Sequence, residues 1–145
     1  MVLLAKDIVE KDFLSLPRGT SALEAAKQMK SSNRGFVIIV GADGRPEGIV
    51  TEWDYLSKIV AEGKDPLKTT LEDIMSTGLV TVKAGDDIDF VSQMMSERGI
   101  RRVLVIQGGK VFGVITAKMV ISRLKEYVDG VSSEIARLQS PSIGH

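Results

Sequence analysis

The residues best suited to ligand chemistry are Thr51 and Asp54, which follow the apolar segment Gly48-Ile49-Val50. At the start of a helix, a hydroxyl beside free backbone N–H groups can bind phosphate, and a carboxylate one turn later can accept hydrogen bonds from both hydroxyls of a ribose. Gly48 would let the backbone run close to such a ligand. The Thr-x-x-Asp spacing is also a capping box, which only closes the first turn of a helix. The spacing alone leaves both interpretations open.

The composition excludes most kinds of enzyme site. The 145 residues contain no cysteine and a single histidine, His145, so disulfides, cysteine–zinc sites, thiol catalysis and a Ser-His-Asp triad lack their residues. With 19 basic and 19 acidic side chains the formal net charge is +0, which argues against a nucleic-acid or membrane-surface binder. No apolar run reaches the roughly 18 residues of a membrane span. We therefore expect a soluble, cytoplasmic protein that is not an enzyme.

The chain repeats itself at a nearly constant offset. An Asp-Ile-apolar turn and a run of four apolar residues recur 66 positions later, and a Gly-h-h-Thr segment (h, hydrophobic) recurs 65 positions later. The matched segments are Asp7–Val9 with Asp73–Met75, Val37–Val40 with Val103–Ile106, and Gly48–Thr51 with Gly113–Thr116. These matches predict one repeat in residues 1–62, a linker in 63–70, a second repeat in 71–125, and a C-terminal helical extension and tail in 126–145.

Each repeat is predicted to contain the order β-α-β-β-α after a short helical turn. The first strands are expected over Phe13–Leu16 and Leu79–Val82, and Ser21 with Glu24 has the spacing of a capping box at the start of a helix. Each repeat has too few elements to close a core alone. The fold class is therefore predicted to be α/β (α+β), with the two repeats packed through their sheets in pseudo-two-fold symmetry and an extended C-terminal helix.

The last helix carries an apolar seam beyond the second repeat. Its members recur at spacings of 3 and 4 residues, which is typical of a helix that packs along a partner. They are Ile121, Leu124, Val128, Val131, Ile135 and Leu138. Gly130 interrupts the segment at a cost of roughly 1 kcal/mol, so two short helices are an alternative. A homodimer contact is preferred, and a helix that folds back on its own domain is the other possibility.

The two units resemble a tandem pair of CBS domains, a Bateman module, over about residues 4–125. The resemblance rests on the D-I-M-like turn that introduces each unit and on the Gly-h-h-Thr segment before its last helix. In that family the segment Gly-h-h-Thr/Ser-x-x-Asp faces the cleft between the repeats. The resemblance implies regulatory binding of adenosyl ligands such as AMP, ADP, ATP or S-adenosylmethionine. On this chain it assigns Ile49, Thr51 and Asp54 to the ligand site.

The resemblance also implies contributions from the second repeat to the same site. The adenine is expected against the backbone of Thr77, Gly78, Leu79 and Val80. Arg101 and Arg102 are expected to reach the phosphate of the ligand whose ribose the first repeat holds, because the planar guanidinium is always charged. The alternative for two adjacent arginines is a solvated strand end.

The second Gly-h-h-Thr segment departs from the family pattern. It retains the hydroxyl of Thr116 but has Met119 where the ribose-binding carboxylate would stand, and a thioether cannot accept hydrogen bonds from a diol as a carboxylate does. The first-repeat residues that align with the arginine pair are Gly35 and Phe36, which supply no phosphate clamp. One complete site and one degraded site are therefore predicted.

Functions of several classes fit these observations. The preferred one is a non-enzymatic regulatory sensor that binds an adenine nucleotide, requires no cofactor and modulates an unknown partner protein; AMP is preferred, with ADP or ATP as alternatives. Other hypotheses are a ligand-free structural or docking CBS dimer, and an S-adenosylmethionine binder. A nucleotide hydrolase is disfavoured because the sequence has no P-loop, no histidine base and no dense carboxylate cluster.

Overall fold

The computed structural model of the chain describes residues 3–139, so His145 lies outside the described residues. Helices and strands alternate in two similar halves. The first half contains α1 (Ala5–Ile8), β1 (Ser15–Leu16), α2 (Ala22–Ser32), β2 (Phe36–Val40), β3 (Pro46–Thr51), α3 (Glu52–Tyr55) and a π-helical turn (Leu56–Val60). The second half contains α4 (Leu71–Ile74), β4 (Thr81–Lys83), α5 (Ile88–Arg98), β5 (Arg102–Gln107), β6 (Lys110–Thr116) and α6 (Ala117–Gln139).

Each half contains a three-stranded sheet. In the first sheet β2 lies between β1 and β3, parallel to β1 and antiparallel to β3, and the sheet of β4, β5 and β6 has the same order and directions. Gly108 and Gly109 form the tight turn between β5 and β6 with φ angles of 61° and 77°, a region that favours glycine. The mixed α+β fold with two β-α-β-β-α repeats and an extended C-terminal helix is confirmed.

The first strand of each repeat begins later than predicted. The prediction placed strands over Phe13–Leu16 and Leu79–Val82, whereas β1 begins at Ser15 and β4 begins at Thr81. Phe13 and Leu79 lie instead in the apolar layer between the two sheets. The Ile38 N–H donates to the Leu14 carbonyl at 2.9 Å and the Leu104 N–H donates to the Val80 carbonyl at 3.1 Å, so the backbone joins each sheet only after Phe13 and Leu79.

The two sheets pack face to face across one apolar layer. Ile38, Leu104 and Val114 are at most 2% exposed at its centre. Partly buried apolar side chains from both halves surround them, namely Phe13, Phe36, Val40, Ile49, Leu79, Ile106 and Val111. Ile38 and Leu104 occupy the same position in the repeat alignment, so the layer is built around the pseudo-two-fold axis.

The segment that introduces each repeat packs against the other repeat. The backbone pairs between the halves are Leu4 with Asp87, Glu10 with Val114, Ser21 with Thr70, and Ile49 with Ser76. Leu71 and Ile74 of α4 are buried in the core of the first half, and Ala5 of α1 is buried in the core of the second half. Neither half therefore completes its core with its own leading helix.

A glycine in each Gly-h-h-Thr segment makes room for this exchange. A Cβ at Gly113 would lie 2.4 Å from Cγ2 of Val9 and 2.5 Å from the carbonyl oxygen of Glu10. A Cβ at Gly48 would lie 2.6 Å from Sδ of Met75. Gly48 therefore faces the leading segment of the second repeat, and the interpretation that it makes room for a ligand is wrong.

Gly113→Ala is expected to lower the free energy of unfolding by about 2–3 kcal/mol, and Gly48→Ala by less. The new methyl group meets fixed backbone at position 113 but the flexible thioether of Met75 at position 48. Urea unfolding of both variants measures the difference. If Gly113→Ala is as stable as the parent, the close approach of the leading segment to β6 is not maintained in solution.

α6 is one continuous helix from Ala117 to Gln139, so the alternative of two short helices is wrong. A single glycine costs only about 1 kcal/mol inside a helix, and the long flanks of Gly130 offset that cost. The start of α6 contacts α1, α5 and β6, but every residue from 121 to 139 is exposed. The second alternative, a helix that folds back on its own domain, is therefore also wrong.

Candidate functional site

A cavity of about 200 Å³ opens between the two sheets. Its wall contains six of the residues that the sequence assigned to the ligand site, from both repeats: Ile49, Gly78, Leu79, Val80, Arg101 and Arg102. Ile100, Val103 and Leu104 complete the wall. Of the remaining predicted residues, Thr77 immediately precedes Gly78, and Thr51 and Asp54 lie at the end of β3 and the start of α3, two and five residues beyond Ile49.

The leading segment of the second repeat pairs with β3 of the first repeat, and this pairing brings Gly78–Val80 to the cavity wall. Ser76 and Ile49 exchange two backbone hydrogen bonds of 2.9 and 3.0 Å, which fix the second-repeat segment against β3. The Leu79 N–H then donates to the Thr77 carbonyl at 2.8 Å and turns the backbone along the cavity wall. A wall made of main chain presents both donors and acceptors, which is what the edge of an adenine base requires.

Arg102 reaches from β5 across the pseudo-two-fold axis to the first repeat. Its guanidinium carbon lies 4.7 Å from the centre of the Phe36 ring, a cation–π contact. Phe36 pairs with Thr51 between β2 and β3, so this contact carries the guanidinium toward the Thr51 end of β3. The contact therefore places the Arg102 side chain of the second repeat beside the strand pair that carries Thr51.

The Arg102 side chain is half-buried, and its Nε atom is unpaired. Among the described residues its Nε has no hydrogen-bond partner although it is shielded from solvent. Burial lowers the pKa of the guanidinium, the neighbouring charge of Arg101 lowers it further, and Glu52 partly opposes both. An unpaired buried donor is costly, so a bound anion that accepts this hydrogen bond would be strongly favoured.

Asp54 forms the capping box that the spacing allowed. The residue is 5% exposed. Oδ2 accepts hydrogen bonds from the Thr51 backbone N–H at 2.8 Å and from the Thr51 hydroxyl at 3.3 Å, and Oδ1 lies 3.0 Å from Nζ of Lys58. A carboxylate has about four acceptor positions, so these three donors leave one for a ligand hydroxyl. Capping and ligand binding are therefore compatible at this residue.

Lys58 and Tyr55 anchor the turn that carries Asp54, and the sequence analysis singled out neither. Nζ of Lys58 donates to the Ile74 carbonyl at 2.8 Å, which connects Asp54 to the exchanged helix α4. The hydroxyl of Tyr55 donates to the Ala22 carbonyl at 2.7 Å, and burial raises the pKa of Tyr55 to about 12. The i, i+4 spacing of Asp54 and Lys58 was the available signal for the ion pair.

The predicted second site differs in each of these respects. The Thr116 hydroxyl accepts a hydrogen bond from the Met119 backbone N–H at 3.2 Å, which is an ordinary helix cap. The Met119 side chain lines a separate surface groove beside Ile8. Asp12, which aligns with Gly78, forms an ion pair of 3.1 Å with Arg34. The second cleft thus has a charged pair where the first has a glycine and an open wall.

Neither a metal centre nor a membrane span is found in the part of the chain that the structure describes. Residues 3–139 contain no group of three or more His, Cys, Asp or Glu side chains placed to hold a metal ion. None of the helices within the same range is long and apolar enough to cross a membrane.

Together the fold and the cleft define a module of two repeats that share one cavity between their sheets. The family model for the CBS domain matches residues 5–61 and again residues 71–126. The chain therefore belongs to the CBS domain family, as a tandem pair.

Relatives include both stand-alone and fused CBS pairs. The chain is 28% identical to hypoxic response protein 1 of Mycobacterium tuberculosis, over 85% of this chain and 86% of that protein. It is 33% identical to L-aspartate semialdehyde sulfurtransferase of Methanocaldococcus jannaschii, but the match covers 85% of this chain and only 23% of the relative. CBS pairs of this kind thus also occur as a part of longer proteins with enzyme names.

Solved structures share the fold. The CBS domain pair of protein MJ0100, crystallised in complex with 5′-methylthioadenosine and S-adenosyl-L-methionine, is 32% identical to this chain, with a TM-score of 0.75 over 87% of this chain and 98% of that one. A CBS domain protein from Pyrobaculum aerophilum, complexed with AMP, is 24% identical with a TM-score of 0.72 and covers 81% of this chain and 89% of that one. The second similarity concerns the fold alone.

Proposed function

We propose that this chain is a non-enzymatic regulatory module that binds one adenine nucleotide in the cavity between its repeats and modulates a partner protein in the cytoplasm. The observation that carries the proposal is the unpaired, buried Nε of Arg102 in a cavity walled by the Gly78–Val80 backbone. A phosphate would satisfy the guanidinium while the base contacts the main chain. In this arrangement the Thr51 hydroxyl contributes to the phosphate contact and the Asp54 carboxylate accepts from the ribose.

The cavity chemistry favours a nucleotide over S-adenosylmethionine. The related pair of protein MJ0100 was crystallised with adenosyl compounds that carry no phosphate. Here two arginines, Arg101 and Arg102, line the cavity. A sulfonium cation beside two guanidinium groups is repelled, whereas a phosphate is attracted. AMP is the preferred ligand because one phosphate suffices to accept hydrogen bonds from the Arg102 guanidinium, and ADP and ATP are alternatives.

We also propose that the protein is a homodimer. Trp53, Leu56 and Val60 are 68%, 53% and 69% exposed on the outer face of α3 and the π-helical turn. Leu56 aligns with Ile121, so the exposed apolar residues of α6 belong to the equivalent face of the second half. A contiguous apolar surface of this kind on a small protein marks an interface.

A ligand-free docking dimer is the second candidate function. The observation that favours it is the engagement of Asp54 with Thr51 and Lys58, which a purely structural cap would also show. In this case the cavity would hold no nucleotide, and the unpaired Nε of Arg102 would only lower the free energy of unfolding.

Titration with AMP, ADP, ATP and S-adenosylmethionine separates the two candidates. We expect AMP to raise the melting temperature, because a ligand at 100 times its Kd adds about 2.7 kcal/mol to the free energy of unfolding. Calorimetry is expected to give about one nucleotide per chain. Two equivalent tight sites per chain would contradict the degraded second site. No response to any of the four compounds would leave the docking dimer as the function.

A further inference from the structure

The exposed seam of α6 has the residue pattern of a specific kind of coiled coil. In heptad notation, positions a are Ile121, Val128 and Ile135, and positions d are Leu124, Val131 and Leu138. All six side chains are between 41% and 68% exposed. Each a position is β-branched, and two of the three d positions are leucine. This combination favours two parallel strands.

We infer that α6 of one chain pairs with α6 of a second copy as a parallel two-stranded coiled coil. The inference rests on the homodimer proposed above and adds its direction and register. In this register each side chain of the seam meets its own counterpart, so a-position residues form layers with a-position residues and d with d. The paired segment from Ile121 to Leu138 is about 26 Å long.

The residues beside the seam fit a second copy of the same chain. In a parallel pair, position g of one helix faces position e of the next heptad in the other helix. The facing pairs are Val120 with Lys125, Tyr127 with Ser132, and Glu134 with Gln139. None of these three pairs places like charges together, so this edge offers no electrostatic obstacle to self-association.

The polar groups of the described helix lie off the seam. Arg123 forms an ion pair with Glu126 of the same helix, on the side away from the a and d positions. Gly130 falls at position c, so its missing side chain leaves no hole between the two helices. Gly130 therefore does not weaken the packing between the two helices.

A parallel pair sets the arrangement of the two modules. Both modules must lie at the same end of the coil, side by side, and not at opposite ends. The seam alone offers roughly 300 Å² of apolar surface per chain, less than the about 800 Å² of a standard interface. Side-by-side modules add the face that carries Trp53, Leu56 and Val60, and the two surfaces together approach a standard interface.

Single cysteines test the direction, because the protein has none of its own. In the full-length chain, Leu138→Cys is expected to form a disulfide-linked dimer in most of the protein under mild oxidation, since the two thiols share one layer. Ala136→Cys, two residues away at position b, is the matched control and is expected to remain unlinked, because its thiols point apart. Sedimentation of the parent chain is measured in parallel.

Each outcome decides the question. If Leu138→Cys forms the disulfide-linked dimer and Ala136→Cys does not, the parallel coiled coil is supported. If Leu138→Cys links only when mixed with Ile121→Cys, the helices are antiparallel and the inference is wrong. If the chain is dimeric but no seam cysteine links, the interface lies on the modules alone, and the inference fails while the homodimer stands. If the parent is monomeric, the proposed homodimer fails as well.

A charge on the seam gives a second, independent measurement. Ile135→Glu places two carboxylates in one apolar layer and is expected to raise the dimer Kd by about 100-fold or more. Ser133→Glu adds the same charge at the outward position f and is expected to change the Kd by less than about 3-fold. Equal effects of the two variants would show that position 135 does not lie in the interface.

Discussion

Arg102→Met is expected to weaken AMP binding by about 100-fold and to leave adenosine binding nearly unchanged. Two charge-assisted hydrogen bonds to phosphate account for this factor, and adenosine has no phosphate to lose. Methionine preserves the apolar packing on Phe36 without the buried charge. Because the Nε of Arg102 is unpaired in the ligand-free protein, the melting temperature of that form is expected to stay the same or to rise.

Two control variants sharpen this result. Arg102→Lys retains the charge but not the planar fork, and we expect an intermediate loss of about 10-fold. Arg98→Ala removes an exposed arginine at the end of α5 and is expected to leave the Kd for AMP unchanged. If Arg102→Met binds AMP like the parent, or loses adenosine to the same extent, Arg102 does not contact the phosphate.

Asp54→Ala is expected to reduce AMP binding by at least about 100-fold while lowering the free energy of unfolding by only about 1 kcal/mol. The stability loss comes from the cap on the Thr51 N–H; Lys58 retains its hydrogen bond to the Ile74 carbonyl. The binding loss comes from the ribose hydroxyl that is proposed to use the remaining acceptor position of Asp54. Isothermal calorimetry and urea unfolding measure the two effects separately.

Asp73→Ala is the matched control for the capping role. Asp73 accepts a hydrogen bond from the Thr70 N–H at 2.9 Å at the start of α4, the same contact that Asp54 makes with Thr51, but it is not one of the residues proposed to bind the nucleotide. We expect Asp73→Ala to destabilise the fold without changing the Kd for AMP. Should both variants lose stability and both retain full binding, Asp54 is a helix cap and nothing more.

Local signals accounted for most elements of the fold. Ser21 caps α2 by accepting a hydrogen bond from the Glu24 N–H, as the capping-box spacing predicted. The constant repeat offset aligned Phe36 with Arg102, but only the resemblance to CBS pairs implied that this arginine serves the ligand site of the first repeat.

Long-range pairing could not be predicted from the sequence. Nothing in the segment around Leu71 indicates that this leucine is buried in the core of the other repeat, because the repeat pattern is the same whichever half receives it. The contact of Gly48 with Met75 is a product of this exchange, and it was therefore misread as room for a ligand. The link from Asp54 through Lys58 to Ile74 was missed for the same reason, since its last member comes from the exchanged helix.

Because each leading segment packs against the other repeat, the exchange also determines when each half can complete its folding during synthesis. Glu10 pairs with Val114, so the start of the chain lacks its partner until about 100 further residues have been made. At about 5–20 residues per second on the ribosome, this delay is roughly 5–20 s. During that interval Ala5 and its neighbours have no finished core to enter, and the first repeat lacks α4 until residue 74 has been made. A half-length chain released early would therefore expose the unfinished core of the first repeat and an unpaired α1 to proteases and to aggregation.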